Sequence, residues 1–351
     1  DSLKASTSAP VMTSNNCDTS PSEVYNYPVV LKDLRESSNR FTLFPIMYKN
    51  LWEMYKKHTA VIWVPEEIDL SNDITDWNKL SKEEQEFIEI IIAFFAASDG
   101  IVNFNIGCRF SQQIEIPEIN AFYTIQSYME TVHSETYSLL IDTLIKDIKK
   151  KEFYFNAIEN ISSIKKKADF ALKYMRDSSL EECLVAFAFV EGVMFSSSFC
   201  GLFYLKSKNK GMPGLMTSNS YIARDENLHS SFAVEVYKTF TGTGGQLKRL
   251  SEEKVHTIAK EAMECEIKFC EECLKTDLIG MNSQSMIRYV KTVCDRLLVQ
   301  LEYNKLYPEI THDFDWMSMI GVDEKSNFFE TKVTQYSTSS EAARFALDEE
   351  F

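Results

Sequence analysis

The sequence predicts an all-α protein, a bundle of long helices, because helix breakers are scarce and apolar side chains recur at helical spacing. Its 351 residues include only 11 glycines and 8 prolines. Between these breakers the chain is rich in Leu, Ile, Phe, Glu and Lys, a composition that favours helices over short strands joined by turns. Hydrophobic residues make up 44% of the chain, enough for a substantial core.

The chain divides into three expected regions. Residues 1–35 are rich in Ser, Thr, Asn and Pro without periodicity, which is typical of a disordered segment. Residues 36–320 form the expected helical domain, and the polar residues 321–351 are expected to be a flexible tail. Helices are expected over 45–57, 81–108 and 118–147, after Asp177, after Gly214, and over 251–275 and 282–305.

Local signals support these elements. Ser81 and Glu84 form a capping box at the start of the first long helix. Ile62 begins a short extended segment that ends before Pro65. The lysine-rich stretches 146–151 and 165–167 are expected to be solvated turns and helix ends.

Charge and cysteine content restrict the partners and the compartment. The formal charge of −15 argues against nucleic acid as the main partner, because that partner requires a basic face. The eight cysteines occur without a signal peptide, and the Cys270/Cys273 pair lacks the second pair expected of a metal site. We therefore expect a reduced, cytoplasmic protein. Residues 184–205 are apolar enough to span a bilayer, but Glu191 among them favours a buried bundle helix over a membrane span.

Four of the five histidines follow a glutamate by three residues, which places both side chains on one helix face. The pairs are Glu130/His133, Glu226/His229, Glu253/His256 and Glu309/His312. The first two lie on apolar, core-facing stripes. The third begins a polar helix and the fourth follows a proline in a loop-like segment, so neither is expected to bind metal. For each apolar pair alone, the alternative is a satisfied buried histidine or an ordinary ion pair.

Two isolated carboxylates complete the predicted site. Asp99 and Glu191 each follow an apolar run that contains no Lys or Arg. A buried ionised carboxylate is costly unless it is paired or bound to metal. Four carboxylate-bearing helices with two imidazoles match the ferritin-like di-metal bundles, and this donor set suits Fe or Mn. The predicted ligands are Asp99, Glu130, His133, Glu191, Glu226 and His229.

Tyr137 lies four residues after His133 and therefore shares its helix face. Taken alone, it is a core tyrosine with a satisfied hydroxyl. Beside a di-metal site, it is a candidate for oxidation to a radical. Phe195, Phe199 and Ile222 are either ordinary core residues or the dry wall of a radical pocket.

Several motifs in order resemble the small subunit of class I ribonucleotide reductase, in its eukaryotic form. The resemblance extends from about Leu43 to the C-terminus. The motifs are FFAASDGIVN (94–103), YMETVHSETYSLLI (128–141), VEGVMFSSSF (190–199), GMPGLMTSNSYIARDENLH (211–229) and FALDEEF (345–351).

The resemblance implies a homodimer with two Fe ions per subunit in an oxo-bridged di-iron centre, or with Mn in their place. The implied ligands are Asp99, Glu130 and His133 for one ion and Glu191, Glu226 and His229 for the other. Glu130 and Glu226 would bridge the two ions. Tyr137 would carry a stable radical in the pocket formed by Phe195, Phe199 and Ile222.

The resemblance also implies a route for the radical to a separate large subunit. The path would run from the first iron through His133 and Asp225 to Trp63, and Tyr336 in the tail would act as a relay. On the alternative interpretation, Tyr336 is an ordinary tail tyrosine. The last seven residues would dock on the large subunit through Phe345, Leu347, Asp348, Glu349, Glu350 and Phe351.

The function that the resemblance implies is the radical-generating subunit of a ribonucleoside-diphosphate reductase, an oxidoreductase active only with its large subunit. It would supply deoxyribonucleotides for DNA replication. Two alternatives are a ferritin-like ferroxidase or iron store, and a di-iron oxygenase. Neither alternative requires a radical exit route through Trp63 or a terminal docking peptide.

Overall fold

A computed structural model describes residues 26–33, 42–275, 278, 280–312, 314 and 317. Helices dominate this part of the protein, where extended pairing is limited to two isolated bridges, Leu31 with Ile114 and Leu278 with Met281. The helices are α1 Lys49–Thr59, α2 Asp73–Trp77, α3 Lys82–Asn105, α4 Ser111–Gln113, α5 Pro117–Leu144, α6 Ile148–Phe155, α7 Ala157–Asn160, α8 Ser162–Asp177, α9 Leu180–Gly192, α10 Ser196–Ser207, α11 Pro213–Thr241, α12 Glu252–Cys273 and α13 Ser283–Gln300. A 3₁₀ turn spans Pro65–Glu67 and a π turn spans Ile106–Phe110.

Each long helix that the sequence predicted is present, with its ends shifted by a few residues. The first begins at Lys49 and not at residue 45. The capping box of Ser81 and Glu84 forms as expected at the start of α3. The apolar stretch 184–205 is interrupted between Gly192 and Ser196, so it forms two helices.

The expectation of solvated side chains at residues 165–167 holds for the exposed Lys165 but was wrong for Lys167. These residues lie inside α8, and Lys167 is buried. Its ammonium contacts Glu266 Oε2 at 2.6 Å and donates to the Met194 carbonyl at 2.6 Å. The same ammonium lies 3.6 Å from the ring centroid of Phe269. Lys167 therefore stabilises the backbone at the interruption that separates α9 from α10.

Residues 26–33, which the sequence placed in a disordered segment, contact the bundle instead. The backbone N–H groups of Val30 and Leu31 both donate to the Gln113 carbonyl, and Leu31 is fully buried. Residues 1–25 of the expected disordered segment lie outside the described residues.

Within the described residues, two helical segments are long and apolar enough to cross a membrane, Lys82–Gln113 and Leu180–Ser207. The sequence had pointed only to the second. Of its most apolar window, 94% is buried inside the protein, against 56% for the first. Leu180–Ser207 is thus a central core segment, as expected for 184–205.

Candidate metal centre

Four long helices bring the six predicted ligands into one buried cluster. Helix α3 carries Asp99, α5 carries Glu130 and His133, α9 carries Glu191, and α11 carries Glu226 and His229. None of these residues is more than 2% exposed. Two overlapping groups have ligand atoms within 4.8 Å of one another, Asp99 with Glu130 and His133, and Glu130 with Glu191, Glu226 and His229.

Glu130 and Glu226 lie between the two histidines. The Oε1 atom of Glu226 lies 3.0 Å from His133 Nδ1, and its Oε2 atom lies 3.5 Å from His229 Nδ1. Glu130 makes the reverse pair of contacts, at 2.9 Å from His229 Nδ1 and 3.6 Å from His133 Nδ1. Each carboxylate therefore has one oxygen near each imidazole, the geometry that a bridging ligand requires.

The donor atoms fit a pair of cations. Within the described residues, both oxygens of Glu130 and of Glu226 and the Nδ1 atoms of both histidines are buried without a well-oriented hydrogen bond. Buried polar atoms are rarely left in this state. These atoms converge on shared points, and carboxylate oxygens with imidazole nitrogens are ligands that Fe and Mn accept.

The pKa shifts of the clustered side chains also favour a cation site. Burial and the neighbouring Glu130 carboxylate raise the pKa of Asp99 well above its usual range, and burial with Glu226 does the same to the pKa of Glu191. Burial would lower the pKa of His133 and His229, but the carboxylates that surround each imidazole raise both pKa values. Metal binding requires deprotonated ligands, so any proton held in the cluster has to be displaced by the metal ion.

His133 has a charged partner on the side away from the cluster. Its Nε2 atom lies 3.2 Å from Asp225 Oδ2, which also accepts a 2.8 Å hydrogen bond from the Trp63 indole. Arg224 donates to the other Asp225 oxygen at 2.9–3.0 Å. Burial would raise the pKa of Asp225, but the hydrogen bond with His133 and the nearby Arg224 hold it below its usual value. The predicted residues His133, Asp225 and Trp63 are therefore in continuous contact.

His229 also has an outer partner, which sequence reasoning missed. His58, at the end of α1, is fully buried, and its Nε2 atom lies 2.8 Å from His229 Nε2. Burial and the neighbouring His229 lower the pKa of His58 to about 3, so its imidazole is neutral. In the sequence, His58 follows Lys56 and Lys57 and resembles a helix-terminal cation, so no local signal marks it.

Tyr137 is fully buried, and its ring and its hydroxyl each have a close partner. Its hydroxyl donates to Asn219 Oδ1 at 2.7 Å. Its ring stacks on Phe95, with centroids 4.6 Å apart and the planes 6° from parallel. The Phe95 ring in turn packs against the predicted pocket residues Phe195 and Phe199, with ring centroids 5.5 and 4.8 Å apart, respectively. The aromatic wall therefore reaches Tyr137 through Phe95.

Helix spacing could have identified two of the residues that sequence reasoning missed. Gln126 lies four residues before Glu130 and donates to Glu191 Oε1 at 3.0 Å. Asn219 lies seven residues before Glu226, on the same face of α11. The predicted pocket residue Ile222 is fully buried on this helix.

The other histidines and the cysteine pair considered in the sequence do not belong to the metal cluster. His256 is partly exposed and bonds the Asn304 carbonyl at 2.9 Å, and His312 packs against the Tyr289 ring at 5.1 Å. Cys270 and Cys273 are buried, and burial raises the pKa of both thiols. The predicted tail residues lie outside the described part of the protein, namely Tyr336, Phe345, Leu347, Asp348, Glu349, Glu350 and Phe351.

Comparison with known sequences places these features in one family. Residues 40–313 match the family model described as "Ribonucleotide reductase, small chain". The protein is 49% identical over 311 residues to the ribonucleoside-diphosphate reductase small subunit of Dictyostelium discoideum, and the match covers 88% of this sequence and 90% of that one. It is 47% identical over 305 residues to the ribonucleoside-diphosphate reductase subunit M2 of Danio rerio, and that match covers 86% of this sequence and 77% of the relative.

Solved structures give the same result for the fold. The ribonucleotide reductase Rnr4 homodimer from Saccharomyces cerevisiae matches with a TM-score of 0.72 at 30% identity, covering 88% of this protein and 92% of the yeast one. The ribonucleotide reductase R2 subunit from Clostridium botulinum matches with a TM-score of 0.75 at 22% identity, covering 84% and 99%, a likeness that shows the fold alone. The predicted all-α, ferritin-like bundle is confirmed.

Proposed function

The chain belongs to the ribonucleotide reductase small-chain family, as the resemblance implied, and we propose that Tyr137 is its radical-carrying residue. As the small subunit of a ribonucleoside-diphosphate reductase, it is part of an oxidoreductase. The observation that carries the proposal is a fully buried tyrosine one helical turn from a ligand histidine, stacked on an aromatic wall.

We propose that the six clustered side chains hold two iron ions, with Glu130 and Glu226 bridging. Bound iron supplies oxidising power by reacting with O2. The protein supplies burial, fixed ligands and a dry surrounding for the radical. The same donors accept Mn, so the metal is a separate question from the ligand set.

Tyr137 itself must lose one electron and its phenolic proton to become a radical. Burial and the nearby Asp99 carboxylate raise the pKa of Tyr137 well above its usual value, so the resting phenol keeps its proton. The Asn219 carbonyl oxygen accepts a hydrogen bond but is a very weak base. Asn219 therefore orients the Tyr137 hydroxyl but does not take up its proton.

The contacts from His133 through Asp225 to Trp63 support the second part of the proposal, a path by which an electron enters the cluster as the radical passes outward. Asp225 accepts hydrogen bonds from both rings, and the Trp63 and His133 rings lie 6.0 Å apart and 22° from parallel. An electron that leaves Trp63 can be matched by a proton shift along these hydrogen bonds. Tyr336 is the proposed relay beyond Trp63.

The proposal is tested by loading metal-free protein with Fe(II), and in parallel with Mn(II), and then admitting O2. Optical and EPR spectra would be recorded for each metal. A persistent tyrosyl signal with iron supports a radical-generating subunit. Diferric absorption without a radical would favour a ferroxidase or an oxygenase. A radical with manganese alone would overturn the choice of iron.

We propose that the large subunit binds through the terminal residues 345–351, and that this protein is a homodimer. The homodimer of the yeast relative supports the second part. Removing residues 345–351 is expected to leave metal content and the radical unchanged, while reduction of ribonucleoside diphosphates with added large subunit is lost. Activity equal to that of the full-length protein would contradict tail docking.

The domain limits and the location also remain proposals. We propose one helical domain over 36–320 with a flexible tail over 321–351, and a cytoplasmic protein. Cys270 and Cys273 are buried within α12 as free thiols. Free thiols that serve as core residues support the proposed reducing, cytoplasmic location.

A further inference from the structure

The two ligand histidines have different outer partners. His133 faces the Asp225 carboxylate, whereas His229 faces the imidazole ring of His58. Ligand histidines usually donate their second N–H to an oxygen acceptor, which fixes the tautomer and the ring orientation. The His58 imidazole is therefore an unusual outer partner for a ligand histidine.

From this geometry we propose that His58 is a positioning residue for the second metal ion, and that it accepts the Nε2 proton of His229 so that Nδ1 is the metal-binding atom. This inference rests on the paired-metal site proposed above. The Nδ1 atom of His229 already points at the cluster, 2.9 Å from Glu130 Oε1 and 3.6 Å from Glu191 Oε2. Its Nε2 atom is left to contact His58.

The direction of the hydrogen bond follows from the chemistry of the two rings. A metal ion takes the lone pair of His229 Nδ1, so the remaining proton of that ring must be on Nε2. His58 can accept this hydrogen bond only through an unprotonated Nε2, and its own proton is then on Nδ1. Metal binding thus selects one tautomer for both rings.

Packing holds His58 in place for this role. Its ring lies 4.9 Å from the His229 ring and 5.3 Å from Phe122, which in turn stacks on Phe232 at 3.6 Å. Five residues later, Trp63 donates to Asp225 behind the other histidine. The end of α1 and the segment that follows therefore supply an outer partner to each half of the site.

The two metal-binding histidines differ in the charge of their outer partners, since Asp225 is a carboxylate and His58 accepts as an uncharged ring. The Asp225 carboxylate increases the basicity of His133 more than the His58 imidazole can increase that of His229. We therefore expect the second ion to bind less tightly than the first, and to depend on His58.

The test is anaerobic titration of the full-length, metal-free protein with Mn(II), with free Mn(II) counted by its EPR signal. Three variants are compared with the parent: His58→Leu, which removes the acceptor; His58→Gln, which places a carboxamide oxygen near the lost Nε2; and His256→Leu as the control on another helix. Thermal unfolding of each metal-free protein checks that it is folded.

The parent is expected to bind two Mn(II) per subunit. In His58→Leu, one of the two is expected to bind about 10–100-fold more weakly, the usual cost of losing such a partner. His58→Gln and His256→Leu should stay near the parent. Unchanged two-ion binding in a folded His58→Leu variant would overturn the inference, and so would a folded His58→Gln variant as impaired as His58→Leu. A parent that binds fewer than two ions would instead overturn the proposed metal site itself.

Discussion

At the scale of single residues, the site depends on which polar atoms have partners and which do not. Asn219 uses both ends of its amide, since Oδ1 accepts from the Tyr137 hydroxyl and Nδ2 donates to the Leu215 carbonyl at 2.9 Å. The ligand carboxylates, in contrast, point unpaired atoms at one another. The two hydrogen bonds of Asn219 fix its side chain, whereas the clustered carboxylate oxygens are available to bind cations.

The hydrogen bond between Tyr137 and Asn219 can be measured by a double-mutant cycle. Asn219→Leu in the parent leaves the buried Tyr137 hydroxyl without its acceptor, whereas in the Tyr137→Phe background that penalty is absent. We expect a coupling of about 1 kcal/mol in the free energy of unfolding, the usual net value of such a bond. Denaturant unfolding of the four metal-free proteins measures it, and additive effects would show that the bond does not stabilise the fold.

Single residues also show where the sequence was insufficient. The clustering of the six proposed ligands was predictable from two local signals. Two Glu-x-x-His pairs lie on apolar helix faces, and Asp99 and Glu191 each follow an apolar run without a basic partner. His58 was not predictable in this way, because its partner His229 is 171 residues away in the sequence, whereas Asn219 could have been identified from its spacing to Glu226. Phe95 was visible as a core residue, but its stacking on Tyr137 depends on how α3 packs against α5.

At the scale of elements, the interruption between α9 and α10 controls where the aromatic wall lies. Glu191 is near the end of α9, and Phe199 lies in the first turn of α10. At the interruption, Lys167 binds the Met194 carbonyl, and Glu266 accepts from the Ser197 N–H at 3.2 Å. A buried ion pair between α8 and α12 therefore stabilises the join between two other helices. Sequence patterns predicted the helices but could not show this pair, since a lysine-rich stretch usually faces solvent.

Breaking this pair is expected to destabilise the protein strongly. Lys167→Met leaves Glu266 as an uncompensated buried charge, which typically costs about 3–5 kcal/mol. Lys173→Met is the matched control, because Lys173 lies on the same helix, is half-exposed and pairs with Glu261 at 2.6 Å. Such a surface pair contributes only about 0–1 kcal/mol.

Denaturant unfolding of both variants distinguishes the two cases. Equal losses in Lys167→Met and Lys173→Met would contradict the role assigned to the buried pair. The double variant Lys167→Met/Glu266→Leu should recover much of the loss, because no unpaired charge then remains in the core.

At the scale of the whole molecule, the metal site joins α3, α5, α9 and α11 at the centre of the bundle. In the cluster, burial and neighbouring carboxylates raise the pKa of Asp99 and of Glu191, and bound cations would offset this repulsion. The fold class was predictable from the sequence because it depends on helix periodicity, which is local. The N-terminal contact of Leu31 was not, because it depends on pairing with Ile114, which is distant in the sequence.

Metal should therefore stabilise the whole fold. Mn(II) at a concentration near 100 times its dissociation constant is expected to add about 2.7 kcal/mol per site to the free energy of unfolding. The melting temperature in Mn(II) should accordingly exceed that in a chelator. Glu226→Ala should lose most of this difference, whereas Glu253→Ala, on the polar start of α12, should retain it. Equal melting temperatures of the parent in both conditions would contradict a resident metal site.

The central claim, that Tyr137 carries the radical, is tested most directly by EPR of iron-loaded, oxygen-treated Tyr137→Phe beside Tyr123→Phe. Tyr123 is the matched control, since it is a buried tyrosine on the same helix, stacked 4.9 Å from Phe110. The tyrosyl signal is predicted to be absent from Tyr137→Phe and present in Tyr123→Phe, with diferric absorption retained in both. A tyrosyl signal that persists in Tyr137→Phe would contradict the account.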